Sequence, residues 1–329
     1  MSTPMPSVLT EVSIQAAWQQ LSVLGPSWSS LTATPLTAAV ALLGAVTLLS
    51  WVLQVVTGNY SWVDRLWSVM PPVYAWVFAL WGGSPNPRLV LMAVLATAWG
   101  ARLTFNFARK GGYIPTEEDY RWAFVRDWLA KHDPLHPLGR ELFSLLFIAV
   151  YQHVLIGLLI IPAAFVVHGL GSGVAPGAGD ILAAIAFLAF LVGETVADEQ
   201  QWRFQQRKAR LSPEERARAG GDFARGFLTT GVFRYSRHLN FFCEISLWWV
   251  IGCFTLLAGA EVLNWTWVGP VLLTLLFQGS TALTEALSVR KYPAYREYQR
   301  TTSRLLPLWP RGSFDSQSSR DSSRTEQPG

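Results

Sequence analysis

The sequence predicts an all-α membrane protein of about seven transmembrane helices. Three observations predict it. Of its 329 residues, 51% are hydrophobic and only 15% charged, against roughly 25% charged in a soluble domain. Apolar runs of spanning length recur along the chain, and a spanning helix needs roughly 20 mostly apolar residues. The 26 Lys and Arg residues gather almost entirely in alternate loops between those runs.

Residues 1–35 read as a polar tail bearing Ser, Thr and Pro, with a short amphipathic piece around Trp18. The tail lacks the basic start of a signal peptide. The first span is Leu36 to Val56. The second, Leu66 to Trp81, is short and contains Pro71-Pro72, which interrupts helical hydrogen bonding. The third is Leu89 to Ala108, the fourth Leu142 to Val167 and the fifth Ile181 to Ala197. Phe241 to Ala258 and Trp265 to Val289 complete the seven. Two long loops of mixed charge, Arg109 to Arg140 and Gln201 to Arg237, read as solvated faces laced with ion pairs. Gly169 to Gly179 is a Gly/Ala/Pro-rich connection. Residues 311–329 are Ser-rich and nearly free of apolar groups, so they cannot bury a core and are expected to be disordered. One transmembrane domain, 36–310, is the simplest organisation, and no internal repeat is evident.

The basic residues give an orientation. Six lie between Arg109 and Arg140, nine between Arg203 and Arg237 and eight from Arg290 onward, and Arg65 sits in the first loop. Only Arg88 lies in an opposite-side loop, and the first 35 residues have no Lys or Arg. Cytoplasmic loops carry the positive excess. The C-terminus is therefore expected in the cytoplasm and the N-terminus on the other side. The net charge of +4 reflects that face, and no nucleic-acid-binding module is present. Cys243 and Cys253 are ten residues apart on one predicted helix, too far to pair. His132 and His136 have helical spacing, but Pro134 and Pro137 break the helix that would align them on a metal. No Rossmann or P-loop glycine motif occurs, and no Ser or Cys has the context of a catalytic triad.

Polar residues inside spans are costly and normally face an interior. Arg102, Asn106 and Arg109 share one helix face by their i, i+4, i+7 spacing. Arg102 reads either as a snorkelling side chain or as a contact to a buried anion or cofactor. Glu194 and Asp198 stack at i, i+4 and need a cation or donor, with Arg102 and Arg203 as candidates. The densest cluster is Gly231 to Glu244, which packs Arg234, Tyr235, Arg237, His238, Asn240 and Glu244 just before the apolar run from Ile245. Arg suits a phosphate, whereas Asn and Glu suit amides, ribose hydroxyls or purine edges. His238 reads either as part of that site or as an ordinary boundary histidine. Glu285 lies inside the last span. After it, Tyr292, Tyr295 and Gln299 with Arg296, Arg300 and Arg304 form an aromatic, basic helix. Alone, that helix reads as an interfacial one that binds anionic lipid.

Together these blocks resemble membrane proteins with a steroid 5-alpha-reductase C-terminal-like domain. The blocks are Ser61 to Trp67 (Ser-Trp-Val-Asp-Arg-Leu-Trp), Trp99 to Leu103 (Trp-Gly-Ala-Arg-Leu), Glu118 to Trp122, Glu194 to Asp198 with Phe204, Gly231 to Glu244, and Tyr295 to Pro307. The resemblance implies a seven-helix reductase whose NADPH lies in a cytoplasm-facing cavity. By the family pattern Asn240 and Glu244 match the Asn and Glu of its cofactor motif. Arg102, Asp198, Arg237 and His238 fall in matching blocks, and Tyr295, Tyr298 and Arg304 in the terminal one. Two positions depart from the pattern: Leu239 stands where Pro is usual and Cys243 where Gly is usual.

The implied chemistry is hydride delivery to an electron-poor carbon–carbon double bond of a steroid or other lipid enone, with an acid protonating the product. Asp64 and Tyr74 are the candidate catalytic residues, with Tyr60 as a neighbour. Asp64 alternatively caps its helix or pairs with Arg65. If the cell is eukaryotic, the resemblance implies the endoplasmic reticulum, among membrane lipids. More distantly, the Arg-Tyr-Ser-Arg-His segment and the terminal Tyr block resemble isoprenylcysteine carboxyl methyltransferases, which use S-adenosylmethionine. That family commonly has tandem Glu before its Tyr block, where this chain has Thr284-Glu285. A third reading is a non-catalytic lipid-binding protein on the same fold.

Overall fold

The computed structural model describes residues 34–311, apart from 82, 84–85, 133–137 and 169–174. The expectations for residues 1–33 and 312–329, for 169–174, and for the His132 and His136 side chains lie outside the described residues. All regular elements among the described residues are helical. Six of them are long and apolar enough to cross a membrane, so the protein is an integral, all-α membrane protein.

Helix α1 (Pro35–Thr57) starts on a Thr34 cap with proline at its first position, where the missing N–H is no loss. Two short helices follow, α2 (Trp62–Trp67) and α3 (Met70–Leu80). Helix α4 (Pro87–Arg109) is capped by the Asn86 side chain. Beyond α5 (Tyr120–His132), the next long segment runs through α6 (Leu138–Phe143), a π-helical stretch (Ser144–Tyr151) and α7 (Gln152–His168). Helix α8 (Ala178–Arg210) has 33 residues. At 1.5 Å per residue it is about 50 Å long, against a hydrocarbon core of about 30 Å. Its last turns therefore stand outside the membrane. They lead into α9 (Pro213–Ala219), α10 (Gly221–Arg225) and a 3-10 turn (Gly231–Arg234). Helices α11 (Leu239–Leu257) and α12 (Val268–Lys291) form the last two spans, and α13 (Tyr295–Thr301) closes the order.

The predicted second span is the one that differs. It is broken at Ser68-Val69, and α3 has only 11 residues, about half of what a crossing needs. Pro71 and Pro72 suit the first turn of α3, where proline is tolerated, and they prevent one continuous helix. Even so, the chain runs from one end of the bundle to the other here. Just after α1, Asn59 donates to the carbonyls of Pro115 and Glu117, and the Tyr60 N–H donates to Glu118. The C-terminal ends of α1 and α4 thus share one side, and α4 begins on the other. Residues 58–86 have to pass between the two sides, and α2, α3 and their connections do so.

Two ion pairs fix the register of α4 against α8. Arg88 meets Asp180 at 2.6 Å at one end, and Arg109 meets Glu199 at 2.5 Å at the other. The second end carries the two long charged loops and is the basic end of the bundle. Close approach of α4 to the α2–α3 junction depends on Gly100, where an added Cβ would lie 2.5 Å from the Ser68 carbonyl oxygen. In the centre, Trp99 and Trp248 meet edge-to-face at 4.7 Å, a geometry worth about 0.5–1.5 kcal/mol beyond burial.

Candidate functional site

Three helices bring polar side chains together inside the bundle, near the basic end. Arg102 on α4 donates from Nη1 to Asp198 at 2.6 Å and meets Glu194 through Nη2 at 2.5 Å. Both acids are on α8, four residues apart, so one guanidinium bridges them. The same Nη2 lies 3.8 Å from Glu244 on α11. Asn106 donates to Asp198 at 2.7 Å, and Asn240 donates to its other oxygen at 3.3 Å. Arg109 donates to Asn106 and Glu199, which ties the cluster to the outer part of α8. The predicted face of Arg102, Asn106 and Arg109 therefore forms as one unit. Arg102 is paired rather than snorkelling, and Arg203 pairs with Glu199 instead of Asp198.

Two members had no role assigned from the sequence: Trp99 opened a matching block, and Trp248 was not singled out. The indole N–H groups of Trp99 and Trp248 donate to the two oxygens of Glu244, at 2.7 and 3.0 Å. Spacing offered a signal: Trp248 is one turn after Glu244, and Trp99 is three residues before Arg102. Glu194 was noted as a stacked acid, and its role is sharper here. Its Oε1 faces Arg102, but its buried Oε2 has no hydrogen-bond partner, nor has Arg102 Nε.

Cys243 fits this setting for a visible reason. A Cβ on Gly193 would lie only 3.0 Å from Cys243 Sγ. The missing side chain on α8 accommodates the thiol on α11, so the bulk at 243 is absorbed locally. Leu239 simply occupies the first position of α11. Both cysteines are free thiols.

A second network forms where the Gly231–Glu244 block meets the terminal block. Arg237 donates to both oxygens of Glu285, at 2.7 and 3.1 Å, and to the carbonyls of Gln299 and Thr302. His238 is buried, with Nε2 3.0 Å from Glu285, and Gln299 donates to the same carboxylate at 2.8 Å. The backbone N–H groups of Arg237 and His238 donate to the carbonyls of Ser303 and Arg304, so residues 303–308 form a strap across the block. Gly231 opens it with φ 63°, and any Cβ there would collide with Gln200, which receives the Val232 N–H. One face of helix α13 packs on the protein. Tyr295 and Tyr298 are buried against Phe227, and burial pushes the Tyr295 hydroxyl pKa upward. Arg304 is exposed and donates to Gln278.

The two candidate catalytic residues lie apart from these networks. Asp64, on α2, accepts from the Trp122 indole at 2.7 Å. It lies in the first turn of α2 beside Arg65, which donates to the carbonyls of Gly112, Ile114 and Glu117. Burial pushes the Asp64 pKa up, with Arg121 and the Trp122 hydrogen bond pulling the other way. Tyr74 on α3 is 2% exposed, and its hydroxyl has no hydrogen-bond partner. Tyr60 is buried and packs edge-on to Trp122.

The family described as "Protein of unknown function (DUF1295)" matches residues 50–302 of this chain, a stretch that includes the central network and the Arg237–Glu285 pair. An uncharacterized protein of Schizosaccharomyces pombe is 38% identical over 268 residues, covering 78% of this chain and 75% of its own. No solved structure matches the chain.

Proposed function

The chain belongs to the DUF1295 family, whose description assigns no activity, and from its site we propose an integral membrane reductase that uses NADPH to reduce a carbon–carbon double bond of a steroid or other lipid enone. One observation carries the reading. Asn240 and Glu244, the cofactor-motif pair, join Arg102, Glu194 and Asp198 in one buried network with an unfilled acceptor at Glu194 Oε2. The donor set suits a dinucleotide. Carboxylates accept from carboxamide N–H and ribose hydroxyl groups. Exposed arginines at the basic end, Arg203 and Arg304 among them, suit its phosphates. Arg237 and His238 would act by holding the terminal block in place, because their polar groups are taken up by the protein.

Bound NADPH would supply the hydride equivalent. The protein's own residues then have distinct tasks. The unpartnered Tyr74 hydroxyl can donate to a substrate carbonyl within the apolar bundle, and such a donor matters most where water is excluded. Asp64 retains its proton to higher pH than an exposed carboxyl, which suits a general acid. The basic end would face the cytoplasm, where a soluble dinucleotide is available. In a eukaryotic cell the membrane would be the endoplasmic reticulum.

A ligand that binds only the folded state raises its melting temperature. Purified protein in detergent should therefore melt higher with NADPH and unchanged with S-adenosylhomocysteine. Asn240→Ala should abolish the NADPH shift without lowering the ligand-free melting temperature by more than a few degrees. Stabilisation by S-adenosylhomocysteine alone would replace the reductase with the methyltransferase reading. Stabilisation by neither would favour a lipid-binding protein.

A further inference from the structure

The bundle marks a membrane boundary at its basic end. The Arg88–Asp180 and Arg109–Glu199 pairs lie about 30 Å apart along α4 and α8, the thickness of a hydrocarbon core. The Arg109–Glu199 pair therefore sits at one surface of that core. Asp198, beside Glu199, accepts from Asn240 in the first turn of α11, which puts that turn at the same depth. The strap lies directly on the residues before it. Arg237 and His238 donate their N–H groups to the Ser303 and Arg304 carbonyls, the Ser236 hydroxyl donates to the Leu305 carbonyl, and the Leu308 N–H donates to the Tyr235 carbonyl. Arg304 also reaches Gln278 of α12. Gln278 shares a helical stripe with Val271 and Leu275, both exposed on the side of the bundle that meets lipid.

With its backbone held in this way, the strap presents apolar side chains outward. Leu306, Leu308 and Trp309 are exposed, Trp309 to 77%. Trp309 packs against Tyr235 at 5.3 Å, and the exposed Arg234 lies over the same Tyr235 ring. Arg311 is exposed just beyond, and residues 302–311 contain no Asp or Glu. Trp and Tyr rings favour the boundary between membrane and water, and nearby arginines suit lipid phosphates. We propose that this strap docks into the bilayer surface at the basic end. Leu306, Leu308 and Trp309 lie among the upper acyl chains, and Arg234 and Arg311 meet lipid phosphates. The bilayer then helps to hold the Arg237–His238 block, because the strap supplies the acceptors for those two backbone N–H groups. Such docking is independent of which ligand the central network takes.

Leu308→Cys and, separately, Leu306→Cys can each carry an environment-sensitive nitrobenzoxadiazole maleimide in protein reconstituted into phosphatidylcholine nanodiscs. Glu214→Cys, exposed on α9, is the reference for a side chain in water. Both strap probes should emit further to the blue than the reference. Nitroxides on the upper acyl chains should quench them several-fold more strongly than the reference, and aqueous iodide several-fold less. Strap probes that behave as the reference does would overturn the proposal, since the segment would then stand in water. Probes shielded from iodide yet untouched by lipid nitroxides would also overturn it, with a protein surface as the occupant. Both substituted leucines are exposed, so melting temperatures should stay within a few degrees of the unsubstituted protein, and either position alone suffices for the test. Buried Cys243 and half-buried Cys253 give the labelling background in the unsubstituted protein.

Discussion

Asp64 shows how a single side chain can be tested in two ways at once. Burial holds its carboxyl pKa above the usual range despite Arg121 and Trp122. A carboxyl with a raised folded-state pKa contributes its stability below its unfolded pKa and loses it as pH rises through the folded value. Above the ordinary carboxyl range Asp64 therefore costs stability. Asp64→Asn keeps an oxygen for the Trp122 indole and cannot ionise. We expect the variant to melt above the wild type at pH 7, with the advantage fading as pH falls below the carboxyl range. If Asp64 is also the proton donor, the same variant loses turnover while gaining stability. Melting curves that show no pH-dependent difference would remove the raised pKa, and with it this argument for an acid. The sequence pointed to Asp64 by its position between Trp62 and Trp67, but its partner is Trp122, 58 residues away. No local pattern announces a contact of that separation.

At the scale of elements, the junction of α2, α3 and α4 holds the broken crossing together. Gly100 faces the Ser68 carbonyl at a distance no Cβ tolerates, and Pro72 lies beside it. Ser68 and Thr104 hydroxyls hydrogen-bond at 2.7 Å on the same seam. Gly100→Ala should push α4 outward and lower stability by about 1–3 kcal/mol, the usual cost of overpacking. Gly279→Ala, with nothing within 4 Å, is the control and should be neutral. Similar melting temperatures for both variants would show that the junction yields. Long spans were legible in the sequence because length and apolarity suffice to define them. The α4 and α8 stripes were legible too, since helical spacing alone aligns Arg102 with Asn106 and Glu194 with Asp198. Taken alone, helix α13 reads as an interfacial helix. Its aromatic residues pack on Phe227, and nothing local to the helix distinguishes a small protein core from an interface.

For the molecule as a whole, the question is which way the bundle is inserted. The six long spans alone would put both ends of the described chain on one side. The passage through α2 and α3 changes the parity, so residues 34 and 311 lie at opposite ends of the bundle. The contacts of Asn59 and Tyr60 with the α4–α5 loop carry that conclusion, and the opposed ion pairs of Arg88 and Arg109 agree with it. By the positive-inside rule, the proposed orientation puts the basic end in the cytoplasm. Leu263, 89% exposed, lies in the opposite-end loop between α11 and α12, and Glu214 is exposed on α9 at the basic end. In sealed vesicles of known orientation, a membrane-impermeant maleimide should label Leu263→Cys only from the non-cytoplasmic side. It should label Glu214→Cys only from the cytoplasmic side. Buried Cys243 and half-buried Cys253 set the background, measured in the unsubstituted protein. Reversed labelling would put the central network out of reach of cytoplasmic nucleotides and would count against the reductase. Labelling of both positions from one side would mean that residues 58–86 do not cross, and the contacts of Asn59 would then have to be wrong.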